Sequence, residues 1–191
     1  MHTIHHTEAF VIKSLSAGEA NKRVWLFTRE FGLIAALAQG VRKSTAKLQA
    51  HITDYALIRV DLVRGKEVWR LISATMEHNP LADIVRTARA RAYVRTLSAV
   101  DRFLSGEDPS PELFDHLVEV LNTLSDETVN TKAFDTLSVW RMLVLLGYVA
   151  VEDIEESFFK DPFGEVVQKL DDVTLSRMIV AAQSAIKESQ L

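Results

Sequence analysis

A chain of 191 residues has room for one large domain or two small ones with real hydrophobic cores, and 48% hydrophobic with 25% charged residues describes a globular chain, not a disordered one. No apolar run approaches the roughly eighteen residues that cross a bilayer, and MHTIHHTEAF lacks the charged-then-apolar layout of a signal peptide, so a cytoplasmic protein with no membrane partner is expected. The absence of cysteine excludes disulfides, thiolate metal sites and cysteine nucleophiles, and the net charge of −4 hides a split near Pro80: residues 1–80 carry 11 Lys and Arg against 7 Asp and Glu (+4), residues 81–191 carry 11 against 19 (−8).

The basic half tends to alternate. EAFVIKSL, KRVWLFTREFG, LIAALAQG, YALIRVDLV and EVWRLISAT are short, rich in β-branched and aromatic residues, and bounded by Gly18, Gly32, Gly40 and Gly65, which predicts five strands. VRGKE has the length and glycine of a hairpin loop between the last two. RKSTAKLQAHITD, with Ser44 followed by Ala46, Leu48 and Ile52, predicts a loop and short helix between the third and fourth strands. Five strands with a helical insertion after the third fit a small closed barrel of the OB-fold type. A plain five-stranded sheet packed on a helix fits almost as well.

The acidic half repeats at helical spacing. LADIVRTARARAYVRTLSAVDRFLSG sets Leu81, Val85, Ala92, Val100 and Phe103 on one face, with Gly106 placed to stop the helix and Arg91, Arg95 and Arg102 on a second face. SPELFDHLVEVLNTL predicts a helix capped by Ser110, with Pro111 at its first position and a stripe of Leu113, Phe114, Leu117, Leu121 and Leu124. NTKAFDTLSVWRMLVLLGY is apolar on nearly all sides toward its end, as suits a central helix, and Gly147 ends it. VAVEDIEESFFKDPFGEVVQ, with six carboxylates, reads as an acidic connection. A last helix runs from about Val173 to Lys187 with Leu175, Met178, Ile179, Ala182 and Ile186 as its stripe, and Asp171 and Asp172 precede its N-terminus, where negative charge is favoured.

No catalytic constellation emerges. There is no phosphate-cradling glycine loop, no dinucleotide fingerprint and no nucleophile elbow. Glu152, Asp153, Glu155 and Glu156 present a hard-cation donor set only if consecutive acids converge, and a solvated acidic surface is the simpler reading. His2, His5 and His6 have only Glu8 as a nearby carboxylate, a poor ligand set. No cofactor or metal is expected.

Positive charge interleaved with aromatics is what remains. Lys22 and Arg23 open the second strand beside Trp25 and Phe27, Arg29 and Phe31 follow, and Arg70 adjoins Trp69. Single-strand binders use this mixture, because cations track phosphates and rings stack on unpaired bases. The competing reading makes Trp25, Phe27 and Trp69 core residues. Arg42, Lys43 and Lys47 occupy a loop with no acidic residue, which suits either phosphate contact or simple solubilising charge.

The stretch TEAFVIKSLSAGEANKRVWLFTREFGLIAALAQGVRKSTAKL resembles the opening of the RecO family of bacterial recombination mediators, with its "GE" turn, "LFT-E-G" strand and "A-GVR+S". LIRVDLVRGKEVWRLISATM, PELFDHLVEVLNTL and FDTLSVWRMLVLLGY continue the likeness, from about Glu8 to Tyr148. The resemblance implies an α+β multidomain chain: an OB-fold barrel over residues 1–79, then an α-helical bundle over residues 80–191. It implies a nucleoid-associated protein that binds single- and double-stranded DNA without sequence specificity, anneals complementary strands, and with RecR helps load RecA onto strands covered by single-strand-binding protein, whose acidic C-terminal tail docks on the helical domain. Many members carry a four-cysteine zinc module after the "GY" helix, and this chain has no cysteine there. Carried onto this sequence, the basic surface falls on Lys22, Arg23, Arg42, Lys43 and Lys47, with Arg64, Lys66 and Arg70 of second rank. The Arg91, Arg95 and Arg102 face either extends that track or pairs with neighbouring helices. A protein-interaction adaptor with a structural barrel, and a metal-dependent nuclease using Glu152, Asp153 or Glu156, are the alternatives; a non-enzymatic protein is expected.

Overall fold

The computed structural model describes residues 3–41, 47–80, 87–104, 106–151 and 156–188, with Lys47 described by its backbone alone. Five strands come first: β1 (Ile4–Ala17), β2 (Asn21–Thr28), β3 (Gly32–Ala38), β4 (Leu57–Arg64) and β5 (Trp69–His78), with a 3-10 helix, Lys47–His51, between β3 and β4. They close into a barrel in the order β1-β2-β3-β5-β4, the expected OB-type topology, and the open-sheet alternative is set aside. β1 is long enough to serve two neighbours. Its first half pairs antiparallel with β4 (Ile4↔Val63 to Phe10↔Leu57) and its second with β2 (Ala9↔Thr28 to Ala17↔Asn21), with a bulge between Val11 and Lys13 where the strand turns. Parallel pairing of β3 with β5, Ala36↔Trp69 to Ala38↔Leu71, joins the last open edges.

Alternation decides what fills the barrel. Gly32, Ile34, Ala36 and Ala38 of β3 are buried, and the residues between them are half-buried. Val24, Leu26, Ile58, Val60, Leu62 and Leu71 complete an interior narrow enough to need alanine at positions 9, 36, 38 and 74. The β2–β3 turn is held by Thr28, whose hydroxyl donates to the Gly32 carbonyl (2.9 Å) and accepts the Phe31 N–H (3.0 Å).

Residues 104–111 belong with the barrel, so that this unit comprises Met1–Asp83 with Leu104–Pro111, and the helical unit Ile84–Phe103 with Glu112–Leu191. The Leu33 N–H donates to the Gly106 carbonyl (3.2 Å), and Asp108 passes so close to Gly32 that a Cβ there would stand 2.7 Å from its backbone nitrogen and carbonyl carbon.

In the helical unit, α1 (Ala88–Phe103), α2 (Pro111–Thr123), α3 (Thr131–Leu145), α4 (Ser157–Lys160), α5 (Phe163–Lys169) and α6 (Asp172–Glu188) follow. α2 starts at Pro111, as read from the sequence, and its whole predicted stripe is buried. α1 buries Tyr93, Leu97 and Val100 with Ala92; Leu81 and Val85 of its predicted stripe lie outside the described residues. α3 is the central helix. Asn130 caps it by accepting the Lys132 and Ala133 N–H groups (2.8 and 3.2 Å), and Gly147, at φ 77°, ends it with Tyr148 N–H on the Leu143 carbonyl and Gly147 N–H on the Val144 carbonyl. Asp171 caps α6 by accepting the Thr174 N–H (2.7 Å), a bond that lowers its pKa.

One expectation fails here. The stretch read as an acidic connection holds two short helices, α4 and α5, because Phe163, Val166 and Val167 give its second part an apolar face that the carboxylate count conceals. Among the described residues, no helix is long and apolar enough to cross a membrane.

Gly32 and Gly40 both sit at positive φ, 65° and 69°, but nothing lies within 4 Å of a Cβ at Gly40. Denaturant unfolding should show Gly40→Ala costing about 1 kcal/mol, from backbone strain alone. Gly32→Ala should cost at least about 2–3 kcal/mol, because strain and a backbone clash add. Equal losses would remove the clash from the account.

Candidate nucleic-acid interface

Register builds the site. Leu15, Arg23, Leu37, Arg70 and Val63 are successive partners across β1, β2, β3, β5 and β4. Partners in a row share a face, and the flanking row Val24–Ala36–Trp69 is buried, so this one faces outward. Arg23 and Arg70 therefore flank Leu37 two strand spacings apart, about 10 Å. Both are exposed, and neither has an ion-pair partner among the described residues. Two residues along β2, Trp25 stands half-buried on the same outer face beside Ala35, with the Lys13 ammonium 5.0 Å from its ring centre.

The two other tryptophan and phenylalanine candidates are buried. Phe27 is fully buried although it shares Trp25's side of β2 and is not among the barrel-core residues, and Trp69 joins the barrel core, edge-on to His5 and tilted against Phe31 at 5.5 and 5.0 Å between ring centres. Of the three aromatics left open by the sequence, only Trp25 keeps a surface.

The predicted cations are not all brought together. Lys22 shares its side of β2 with the buried Val24 and Leu26, so it stands half-buried at the barrel's end, off the face that carries Arg23. Arg64 lies 5.1 Å over the Trp69 ring and is ion-paired with Glu107, which also accepts the Trp69 indole N–H (3.0 Å). Lys66, in the β4–β5 loop, is exposed with no ion pair among the described residues. Arg42 and Lys43 lie outside the described residues; Lys47 begins the 3-10 helix. Arg29 pairs with Glu8 at 3.2 Å. On α1, Arg91, Arg95 and Arg102 are all exposed, but Arg95 is ion-paired with Asp135 (2.6 Å) and Arg91 is engaged as well, so the arginine face is partly neutralised within the helical unit. Of the acidic cluster, Glu152, Asp153 and Glu155 lie outside the described residues, and Glu156 pairs with Lys160 at 2.7 Å. Among the described residues, no group of three histidines and carboxylates is placed to hold a metal ion.

Sequence reasoning missed Lys13, Glu107 and a buried polar network around Arg141. Lys13 was legible only through its register after the β1 bulge, and Glu107 carries no local signal at all. Arg141, 3% exposed on α3, donates to the Phe158 and Asp161 carbonyls (2.8 and 2.6 Å) and to Glu119 (3.4 Å), whose carboxylate also accepts the Phe163 N–H (3.2 Å). It ties the α4–α5 segment to α2 and α3. Beside it, buried His116 donates from Nε2 to the Ser138 carbonyl (2.9 Å), leaving Nδ1 buried with no hydrogen-bond partner among the described residues, and burial lowers its pKa to about 4.

The first 79 residues match the family model described as "Recombination protein O N terminal", and residues 82–151 match "Recombination protein O C terminal". Similar curated proteins named "DNA repair protein RecO" include that of Neisseria meningitidis, 28% identical over 149 residues (76% of this chain, 54% of that protein), and that of Heliobacterium modesticaldum, 31% identical over 122 residues (61% and 45%). Another, from Bacillus pumilus, is 28% identical over 127 residues (64% and 48%). The chain spans about half the length of these relatives.

The His116 geometry has a pH signature. A histidine held neutral in the fold and free to protonate at about 6.5 when unfolded leaves the unfolded state binding more protons between those values, so its contribution is full above pH 6.5 and lost as pH falls toward 4. Urea unfolding from pH 7 to 4 should show a loss of up to about 3 kcal/mol that His116→Gln, which still donates to Ser138, flattens. Parallel profiles for the two proteins would reject this account.

Proposed function

We propose, on the premise that this chain belongs to the recombination protein O family, that the outer face of its barrel binds DNA through phosphate contacts and base stacking. In this reading it engages single and double strands, anneals complementary strands, and acts with RecR to load RecA onto strands covered by single-strand-binding protein. It is a cytoplasmic, nucleoid-associated and non-enzymatic role. The observation that carries it is the row Arg23–Leu37–Arg70 beside Trp25 and Lys13, on the strand 2–3 face that OB-folds use for oligonucleotides. Two arginines with no ion pair among the described residues and spaced for a backbone, a half-buried aromatic and an apolar floor suit a flexible strand. The loop cations Arg42, Lys43 and Lys47 extend this surface in the proposal, with Lys66 on the opposite loop. Arg64, held by Glu107, ranks below them, as do Lys22 and the Arg91, Arg95 and Arg102 face. The −4 net charge does not oppose the reading, since encounter follows the local field within a Debye length, about 8–10 Å.

Anisotropy titrations of a labelled single strand across salt concentrations test it. Arg23→Ala with Arg70→Ala should flatten the slope of log affinity against log salt by about 1.4, roughly 0.7 for each lost phosphate contact. Trp25→Ala should weaken binding about 5- to 150-fold through lost stacking, with the slope unchanged. An unaltered slope in the double variant sinks the assignment. Incubation with magnesium should leave the strand at full length, whereas shortening would favour the nuclease.

Partner docking belongs to the helical unit in this proposal. A groove of about 960 Å³ runs along α6, lined by Tyr148, Val149, Val173, Arg177, Val180 and Ala181, with Val173 and Val180 more than half exposed. The helix stripes around Leu113 to Leu121 are buried and offer no such surface. Asp172 and Glu188 line the same groove against a single Arg177, so apolar burial, not charge, has to carry docking of the single-strand-binding protein's tail. Val180→Asp should therefore abolish binding of a tail peptide in calorimetry and leave oligonucleotide affinity unchanged; intact peptide binding would move the docking site elsewhere.

A further inference from the structure

A pocket of about 330 Å³ opens on the outer face of β2 and β3, between the β4–β5 loop and the segment that carries Gly106 and Glu107. Its volume is at the lower end of small-molecule sites, roughly 300–1,000 Å³. Leu33, Leu37 and Val68 line it with aliphatic surface, and its polar side chains are Arg23, Glu67 and Glu107. Nothing about this pocket is an accident of a loose loop: the Leu33–Gly106 hydrogen bond and the close pass of Asp108 over Gly32 hold its wall against β3.

The charges define the occupant. Glu107 is fixed by the Trp69 indole on one carboxylate oxygen and Arg64 on the other, and each oxygen keeps a further lone pair to accept with. Glu67 is exposed and has no ion pair among the described residues. Arg64 is spent on Glu107 and Glu67 stands against Arg23, which leaves no net positive charge inside, so a phosphate does not belong there. A flat, neutral group with N–H donors does. If the strand's phosphates follow Arg23 and Arg70 along the rim, the group delivered into the pocket is a base.

We infer that this pocket receives one unpaired base bearing an exocyclic amine, and that Glu107, with Glu67, accepts its N–H groups. Cytosine and adenine present an amino donor where thymine presents a carbonyl oxygen, which two carboxylates repel. The inference rests on the proposed DNA-binding face and adds a preference at one position to binding that is otherwise blind to sequence.

Short labelled oligo-dC and oligo-dT of equal length, titrated at one salt concentration and slightly alkaline pH, test it because their phosphates are identical. Wild-type protein should bind oligo-dC roughly 5- to 100-fold more tightly. Glu107→Gln, which keeps an oxygen for the Trp69 indole, should shrink the ratio toward one, and Glu67→Gln should shrink it less. Arg70→Ala, which leaves the pocket's lining intact, should weaken both oligonucleotides and preserve the ratio. Equal affinities in wild type, a preference for oligo-dT, or a ratio that survives both glutamine substitutions overturns the pocket while leaving the DNA-binding face intact. Failure of the wild-type protein to bind either strand overturns both. Thermal melts of each variant separate lost recognition from lost folding.

Discussion

The three residue pairs that join β3 to β5 are the contact on which the barrel's surface depends. They are the shortest ladder in the barrel and its only parallel one, and without them two strand edges stand open with their N–H and C=O groups unpaired. Closure does more than satisfy those groups. It brings Arg70 beside Leu37 and hence into the row of Arg23, making one face out of residues that the chain separates widely. An open sheet packed on a helix would leave Arg23 and Arg70 on strands with no common neighbour.

A second long-range contact shapes the same face. Residues 106–108 follow α1 in the chain yet dock on the barrel, and they bring a carboxylate to a region whose own charge is positive. The cost is a weaker field for phosphates, because Arg64 is neutralised by Glu107. The gain is a wall that turns a flat strand surface into a pocket, with a carboxylate held in one orientation by two donors of different chemistry. Gly32 is what allows the approach, since any side chain there meets backbone that has no freedom to move aside.

The helical unit uses buried polarity to set its own architecture. Arg141 places a charge inside a core otherwise made of Phe114, Phe134, Leu137, Trp140 and Phe163, with the half-exposed Glu119 as its partner, and a buried charge that loses its partner becomes a costly orphan. Here the guanidinium spends two of its donors on main-chain carbonyls of the α4–α5 segment, so it works as a latch that adds to the segment's own apolar face of Phe163, Val166 and Val167.

The sequence alone determined the elements: alternation and bounding glycines marked five strands, apolar stripes and Pro111 and Gly147 marked helices, and the charge count separated a basic half from an acidic one. These are local properties, carried by periods of two and 3.6 residues and by single positions with special backbone freedom. Tertiary structure decided everything that depends on distant partners. It covered Phe27 and Trp69 and left Trp25 partly open, spent Arg64 and Arg95 on carboxylates far along the chain, and found in Phe163 and Arg141 the reason for two helices where composition suggested a connection. Register across a ladder and the docking of residues 106–108 are set by contacts between segments, and no window of sequence short enough to show a period contains both sides of such a contact.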